Sequence, residues 1–315
     1  MADVARQSVT LAQAVRSRRA GKTTLHRVMR QRTTTAVLMC LPLIAIVGCL
    51  IIYPAFYSIY LSMLNKAQTK FIGLGNFVFL LGRDTFWMVA EQSAIFALTA
   101  VFFKALIGLI TAHLVNNLPT KGQRKWRGML LVPWVIPLAL STLSWWWLFD
   151  PTHSAFNWLI DQFGGQEVPW LSDPYWARFS VILVNVWYGA PFFLIMYLAA
   201  LKSVPGELYE AAEIDGASAW QRFLHITLPM MRNILAITVL FSLIVTFANF
   251  DIVRIMTAGG PRNMTHMFAT YAFKLGIESG DIPLGASVSL FMFPILALSA
   301  VFILRGVRKR GREIG

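Results

Sequence analysis

Five stretches of this chain run for eighteen residues or more with no charged side chain and no histidine: 33–65, 128–149, 179–201, 233–250 and 282–304. An apolar helix needs about 20 residues to cross roughly 30 Å of hydrocarbon, so these runs have spanning length. A sixth stretch, 92–120, is interrupted only by Lys104 and His113. In lipid every backbone N–H and C=O must be satisfied within the segment, which makes such runs helices. Only 14% of the 315 residues are charged, against about 25% in soluble domains. The expected fold is all-α and integral to the membrane, with six transmembrane helices near 35–63, 90–115, 128–149, 178–201, 233–256 and 283–305. Disorder, a disulfide-stapled secreted domain and a nucleic-acid binder are excluded as main readings.

The net charge of +13 follows the topology rather than a polyanionic partner. Twenty Lys and Arg fall on the termini and the even-numbered loops, seven on the odd-numbered loops, and Lys104 lies inside a helix. Lys and Arg are retained on the cytoplasmic side, so both termini are expected there. The chain then divides into a basic cytoplasmic tail (1–34), a six-helix domain (35–306) and a C-terminal cytoplasmic tail (307–315). The apolar run after the first tail is too long for a signal peptide, though a mitochondrial presequence would share the tail's composition. Cys40 and Cys49 lie nine residues apart on opposite faces of one helix, beyond disulfide reach.

Catalytic constellations are missing from the sequence. The phosphate-loop mimics at Gly21–Thr24 and Gly280–Gly285 each lack a required residue. The five histidines have no ligand-like spacing, and no carboxylate pair lies within a span. Neither an enzyme nor a resident cofactor or metal is expected. Lys104 stands out, because a charge at mid-helix costs about 2.5–3.5 kcal/mol. It either faces a substrate path or snorkels along its stem toward the inner interface, the second being the less costly. The prolines (42, 54, 133, 137, 191 and 294) mark kinks in the spans. The Trp145–Trp147 run fits an interfacial aromatic belt.

The loop between the fourth and fifth spans carries the strongest local signals. Pro205 suits a first helical position, and Glu207, Glu210 and Glu213 sit in a short helix that Gly216 stops. Ser218 and Gln221 form a capping-box pattern for a second short helix ending near Thr227, and Pro229 marks the start of the fifth span. Ala211 and Ala212 allow close approach of another protein surface, where a lipid-inserted helix would show large apolar anchors.

Glu210-Ala211-Ala212, Gly216 and Ile226-x-Leu228-Pro229 match at every position the EAA loop of permease subunits in binding-protein-dependent ABC importers. Phe71–Phe77, Pro133–Pro137, Ser203–Phe223 and Thr257–Pro261 resemble the carbohydrate-uptake branch, in particular its maltose-type first permease subunits. The resemblance implies a type I importer permease in the inner (cytoplasmic) membrane, multi-pass, working with a second homologous permease. It also implies two copies of an ABC ATPase, which hold the ATP and Mg, and an external sugar-binding protein. The loop at 203–229, with Glu210, Ala211, Ala212, Glu213, Asp215, Gly216, Ile226, Leu228 and Pro229, would couple to the ATPases.

For the substrate path, Ser242, Val245, Thr246 and Asn249 recur at i, i+3, i+4 and i+7 on the fifth span, giving one polar-edged face. Tyr188, Gly189 and Phe192 on the fourth offer an aromatic platform and a close backbone approach. These positions match where maltose-type permeases line their sugar cavity. The competing reading is interhelical hydrogen bonding in a packed bundle. Among substrates, a polyol or a glycerol phosphate ester is the alternative to a sugar. An ion-coupled secondary transporter would want intramembrane carboxylates or paired unwound helices, which the sequence lacks.

Overall fold

The computed structural model describes residue 36 and residues 39–311, with side chains through 305. The basic tail expected at 1–34 and the last residues of the C-terminal tail lie outside the described residues. The described chain is nearly all helix, and it falls into two units, one ending at Ser58 and one beginning at Ile59.

Helices long and apolar enough to span a membrane occur at Met39–Ser62, Asp84–Asn116, Pro174–Lys202, the segment beginning at Ala219, and Ile282–Arg305. The last of these extends to Gly311, so the expected C-terminal tail begins as a continuation of the sixth span. The third expected span is not one helix. It is built from Thr120–Leu130, Val132–Val135 and Leu138–Leu148, with Ile136 in an extended conformation (φ −70°, ψ 136°). Pro133 and Pro137 stand four residues apart, so Pro137 has no N–H to offer the carbonyl of Pro133 and its ring crowds that oxygen. Residues before proline also avoid the α region. Two kinks thereby become a break, and an open apolar groove of about 370 Å³ lies beside it, lined by Met129, Pro133, Trp187 and Pro191 among others.

The fifth span also departs from expectation. Ala219–Arg222, Phe223–Thr227 and Leu228–Phe247 follow one another without interruption, the middle piece being a π turn. Pro229 falls in the first turn of Leu228–Phe247, as expected, but the helix before it runs on into the span without a break. A π turn likewise precedes Pro54 in the first span, at Gly48–Ile52. In both places the wider turn ends two residues before a proline, which cannot donate a helical hydrogen bond.

Within the second unit, one apolar core joins Val101, Phe193, Tyr197, Leu201 and Met231, bringing the second, fourth and fifth spans together. A second gathers Phe86, Val89, Phe247, Phe268 and Val288. A third gathers Phe96, Phe149, Val184, Ile252 and Met267. Trp145 belongs to the third, packing on Phe149, Phe156 and Trp187, and so stands apart from an exposed belt. Trp147 is exposed, as an interfacial residue would be. Between the third and fourth spans, Asn157 ties a short helix (Ala155–Gln162) to Val168 by two backbone bonds and accepts from Trp170 Nε1 at 2.8 Å.

Candidate coupling loop and substrate path

The fourth span ends at Lys202, and Val204 is buried. Pro205 is the N-cap, one residue earlier than its expected first-turn place, and the helix it opens runs Gly206–Ile214. Its end is a Schellman motif: Ala217 N donates to Ala212 O at 2.9 Å and Gly216 N to Glu213 O at 3.1 Å. The motif requires a left-handed residue, and Gly216 supplies it with φ +75°. The next helix starts at once. Ser218 Oγ accepts from Gln221 N at 3.3 Å while Gln221 Oε1 accepts from Ser218 N at 2.7 Å, completing the capping box.

Two bridges fix the angle between these short helices. Arg222 Nη1 donates to Glu213 Oε2 at 3.0 Å, and Tyr209 OH meets Thr227 Oγ1 at 2.8 Å. Tyr209 and Ile226 then pack against the first apolar core, which seats the hairpin on the bundle. Leu228 is half-buried and Pro229 exposed. The opposite face is open: Glu210, Ala211, Asp215 and Gly216 are exposed, Ala212 is half-exposed, and Ile214 is 87% exposed. Glu213 is exposed too, but its carboxylate is engaged by Arg222.

The substrate-path candidates divide. Helical geometry ends at Phe247, so Asn249 lies past the helix and does not continue the face of Ser242 and Thr246. Ala248 is followed by two non-helical residues, and Asn249 Oδ1 accepts from Ile252 N at 3.3 Å, at the start of the Asp251–Met256 helix. Val245 is exposed, whereas Ser242 and Thr246 are buried. On the fourth span Tyr188 and Gly189 are half-buried. Phe192 stands in a tilted aromatic group with Phe241 and Trp134, at centroid distances of 5.3 and 5.8 Å.

Lys104 neither snorkels nor lies open. It is 3% exposed, and its Nζ donates to Asn185 Oδ1 at 2.8 Å and to Thr246 Oγ1 at 2.7 Å. A lysine stem can cross here because Gly189 has no side chain; a Cβ there would fall 2.5 Å from Lys104 Cδ. The structure thus joins Lys104, Gly189 and Thr246, each singled out in the sequence, through Asn185, which was not. The signal for Asn185 was present as a lone amide in the first half of the fourth apolar run. Its partner depends on how three helices pack.

A helical bundle of spanning-length apolar segments, with a ledge of two short helices between its fourth and fifth spans, marks an integral membrane protein. Residues 104–308 match the family described as "Binding-protein-dependent transport system inner membrane component". The chain is 32% identical over 280 residues to the trehalose/maltose transport system permease protein MalF of Thermococcus litoralis, covering 88% of this chain and 94% of that one. It is 30% identical over 274 residues to the sulfoquinovosyl glycerol transport system permease protein SmoG of Agrobacterium fabrum, covering 85% and 89%. A crystal structure of a bacterial ABC transporter involved in alginate import includes a chain of the same fold, with a TM-score of 0.79 at 23% identity, covering 89% of this chain and 96% of that one. The chain belongs to the inner membrane components of binding-protein-dependent transport systems, and its fold is that of a type I ABC importer permease. Family membership sets aside the ion-coupled alternative.

Proposed function

We propose that this chain is the sugar-conducting permease subunit of an ABC importer, in which a second permease completes the translocation path. Both termini and the 203–229 hairpin face the cytoplasm, where two ATPase subunits dock and supply ATP hydrolysis. An external binding protein delivers the sugar. The observation that carries this reading is the hairpin. Its turn is locked by a Schellman motif and a capping box, its inner face packs on the bundle, and its outer face presents Ala211, Ala212 and Ile214. An apolar, small-residue surface on a preorganised element suits a protein partner.

The sugar assignment rests on the relatives named above, which transport trehalose, maltose and a sugar glycoside of glycerol by their descriptions. Purifying the chain with its co-expressed partners tests the assembly, and the ATPases and second permease are expected to co-purify. A melting-temperature screen of the binding protein with maltose, trehalose, maltotriose and glycerol phosphate tests the substrate. Stabilisation by a di- or trisaccharide is expected. Stabilisation by glycerol phosphate alone would overturn the sugar reading, and ATP turnover by the isolated chain would overturn the division of labour.

A further inference from the structure

A lysine ammonium has three N–H donors and no acceptor. That asymmetry determines what its neighbours can do. Because Lys104 can only donate, the Asn185 atom facing it must be the carbonyl oxygen, 2.8 Å away. The Asn185 amide NH₂ is then left on the other side of the group, and among the described residues it has no acceptor. Thr246 Oγ1 likewise accepts from Lys104 at 2.7 Å, so its own proton must go elsewhere. Threonines in helices commonly return that proton to a carbonyl one turn back. Thr111, Thr142, Thr238 and Thr257 all do so here, at 2.7, 2.7, 2.7 and 3.0 Å. Thr246 makes no such bond to Ser242 O among the described residues.

We infer that Lys104 is a positioning residue that fixes Asn185 and Thr246 as hydrogen-bond donors for the transported sugar. The inference rests on the reading that Thr246 borders the sugar path. Three donors from three helices are left over in this one cluster: the third ammonium proton, the threonine hydroxyl and the asparagine amide. They complement a ligand group rich in lone pairs, such as the ring and glycosidic oxygens of a saccharide, and they disfavour a group that can only donate. Asn185 and Thr246 would each be free to rotate or flip without Lys104. With it, each has one orientation, which lowers the entropy lost when a ligand binds. Gly189 is part of the device, since any side chain there would displace the lysine stem.

The experiment uses the complete transporter in proteoliposomes with saturating sugar-loaded binding protein. It compares uptake rates for the two sugars that stabilise the binding protein most. Lys104→Met removes the donors while filling the stem's volume, and Lys104→Gln retains one donating group. Lys104→Met is expected to shift the ratio of the two rates by about fivefold, roughly the effect of one misoriented buried donor, and Lys104→Gln by less. A tether needed only for folding would lower both rates equally through reduced abundance, and an unchanged ratio would overturn the inference. Where Lys104→Met fails to assemble, Lys104→Gln decides by the same criterion. Thr246→Val separates the two levels of the argument. If it leaves the ratio unchanged, Thr246 does not border the path and the underlying reading fails. If it shifts the ratio and neither Lys104 variant does, the positioning role alone fails.

Discussion

Gly216 offers a clean test of the proposed coupling role of the 203–229 hairpin, because its replacement introduces one physical effect. Its φ is +75°, and a Cβ added there meets nothing within 4 Å. No clash with the chain accompanies the substitution, so the penalty is that of the backbone conformation alone. The left-handed region costs an ordinary residue about 1–2 kcal/mol, with asparagine penalised least. A β-branched residue there stores up to about 3 kcal/mol. At about 1.4 kcal/mol per decade, Gly216→Ala should lower the equilibrium constant for the Schellman-terminated hairpin about tenfold and Gly216→Val about a hundredfold. If the ATPases bind this conformer, their apparent affinity falls with its populated fraction, by at most the same factors. Binding of the ATPase to the permease pair in lipid nanodiscs measures this directly, with uptake and membrane abundance followed in parallel. The expected order of affinity is Gly, then Asn, Ala and Val, with sugar binding to the external protein unaltered. Docking of the Gly216→Val transporter within about threefold of the wild type would refute the reasoning. So would identical behaviour of the Asn and Val variants.

Other sites give smaller or differently signed effects. His266 is 2% exposed, its Nδ1 is 3.1 Å from Thr270 Oγ1, and burial pushes its pKa down to about 4, with Lys274 and Arg254 adding to the shift and Glu278 opposing it. The unfolded ring takes up a proton near pH 6.5 that the folded one refuses, so stability is full above about pH 7 and declines as pH falls toward 4. The loss should reach up to about 3 kcal/mol, read as a falling melting temperature of the purified transporter, and His266→Gln should flatten that decline. Asn157→Ala removes three hydrogen bonds from the segment between the third and fourth spans. It should cost about 2–3 kcal/mol and open that segment to proteolysis while leaving ATPase binding intact. The Arg222–Glu213 pair is largely solvated on its acidic side, so Arg222→Ala should destabilise by less than about 1 kcal/mol and change uptake less than about twofold.

Most of the fold was legible because its dominant signal, the absence of charge over spanning lengths, depends on solvent alone. The local chemistry of the hairpin was legible for a similar reason. Gly216, Ser218 and Gln221 act on backbone groups within a few residues, so their roles need no knowledge of the rest of the chain. Pro133 and Pro137 were misread in degree. Each alone bends a helix, and their four-residue spacing removes the donors of two successive turns, those that would reach Met129 O and Pro133 O, which an apolarity count does not register. Pro229 stands in the first turn of the Leu228–Phe247 helix, at the start of the fifth span, while the π turn before it keeps that helix joined to the hairpin. The candidate path residues were the least legible. Ser242 and Thr246 share a face as periodicity required, but Asn249 falls beyond the helix end. The fate of Lys104 depended on Asn185, 81 positions away.

The uninterrupted helix from Ala219 to Phe247 has a mechanical meaning. At 1.5 Å per residue it is a shaft about 40 Å long, with the hairpin's second half as its lower end and Thr246 next to its upper tip. No loop intervenes to absorb strain, and its one compliant point is the π turn at Phe223–Thr227. A tilt of about 5° about that lower end sweeps the tip through roughly 3 Å, about the length of one hydrogen bond. A sweep of that size is enough to pull Thr246 away from Lys104. Leverage of this kind turns a small movement at the ledge into the making or breaking of a contact deep in the bundle.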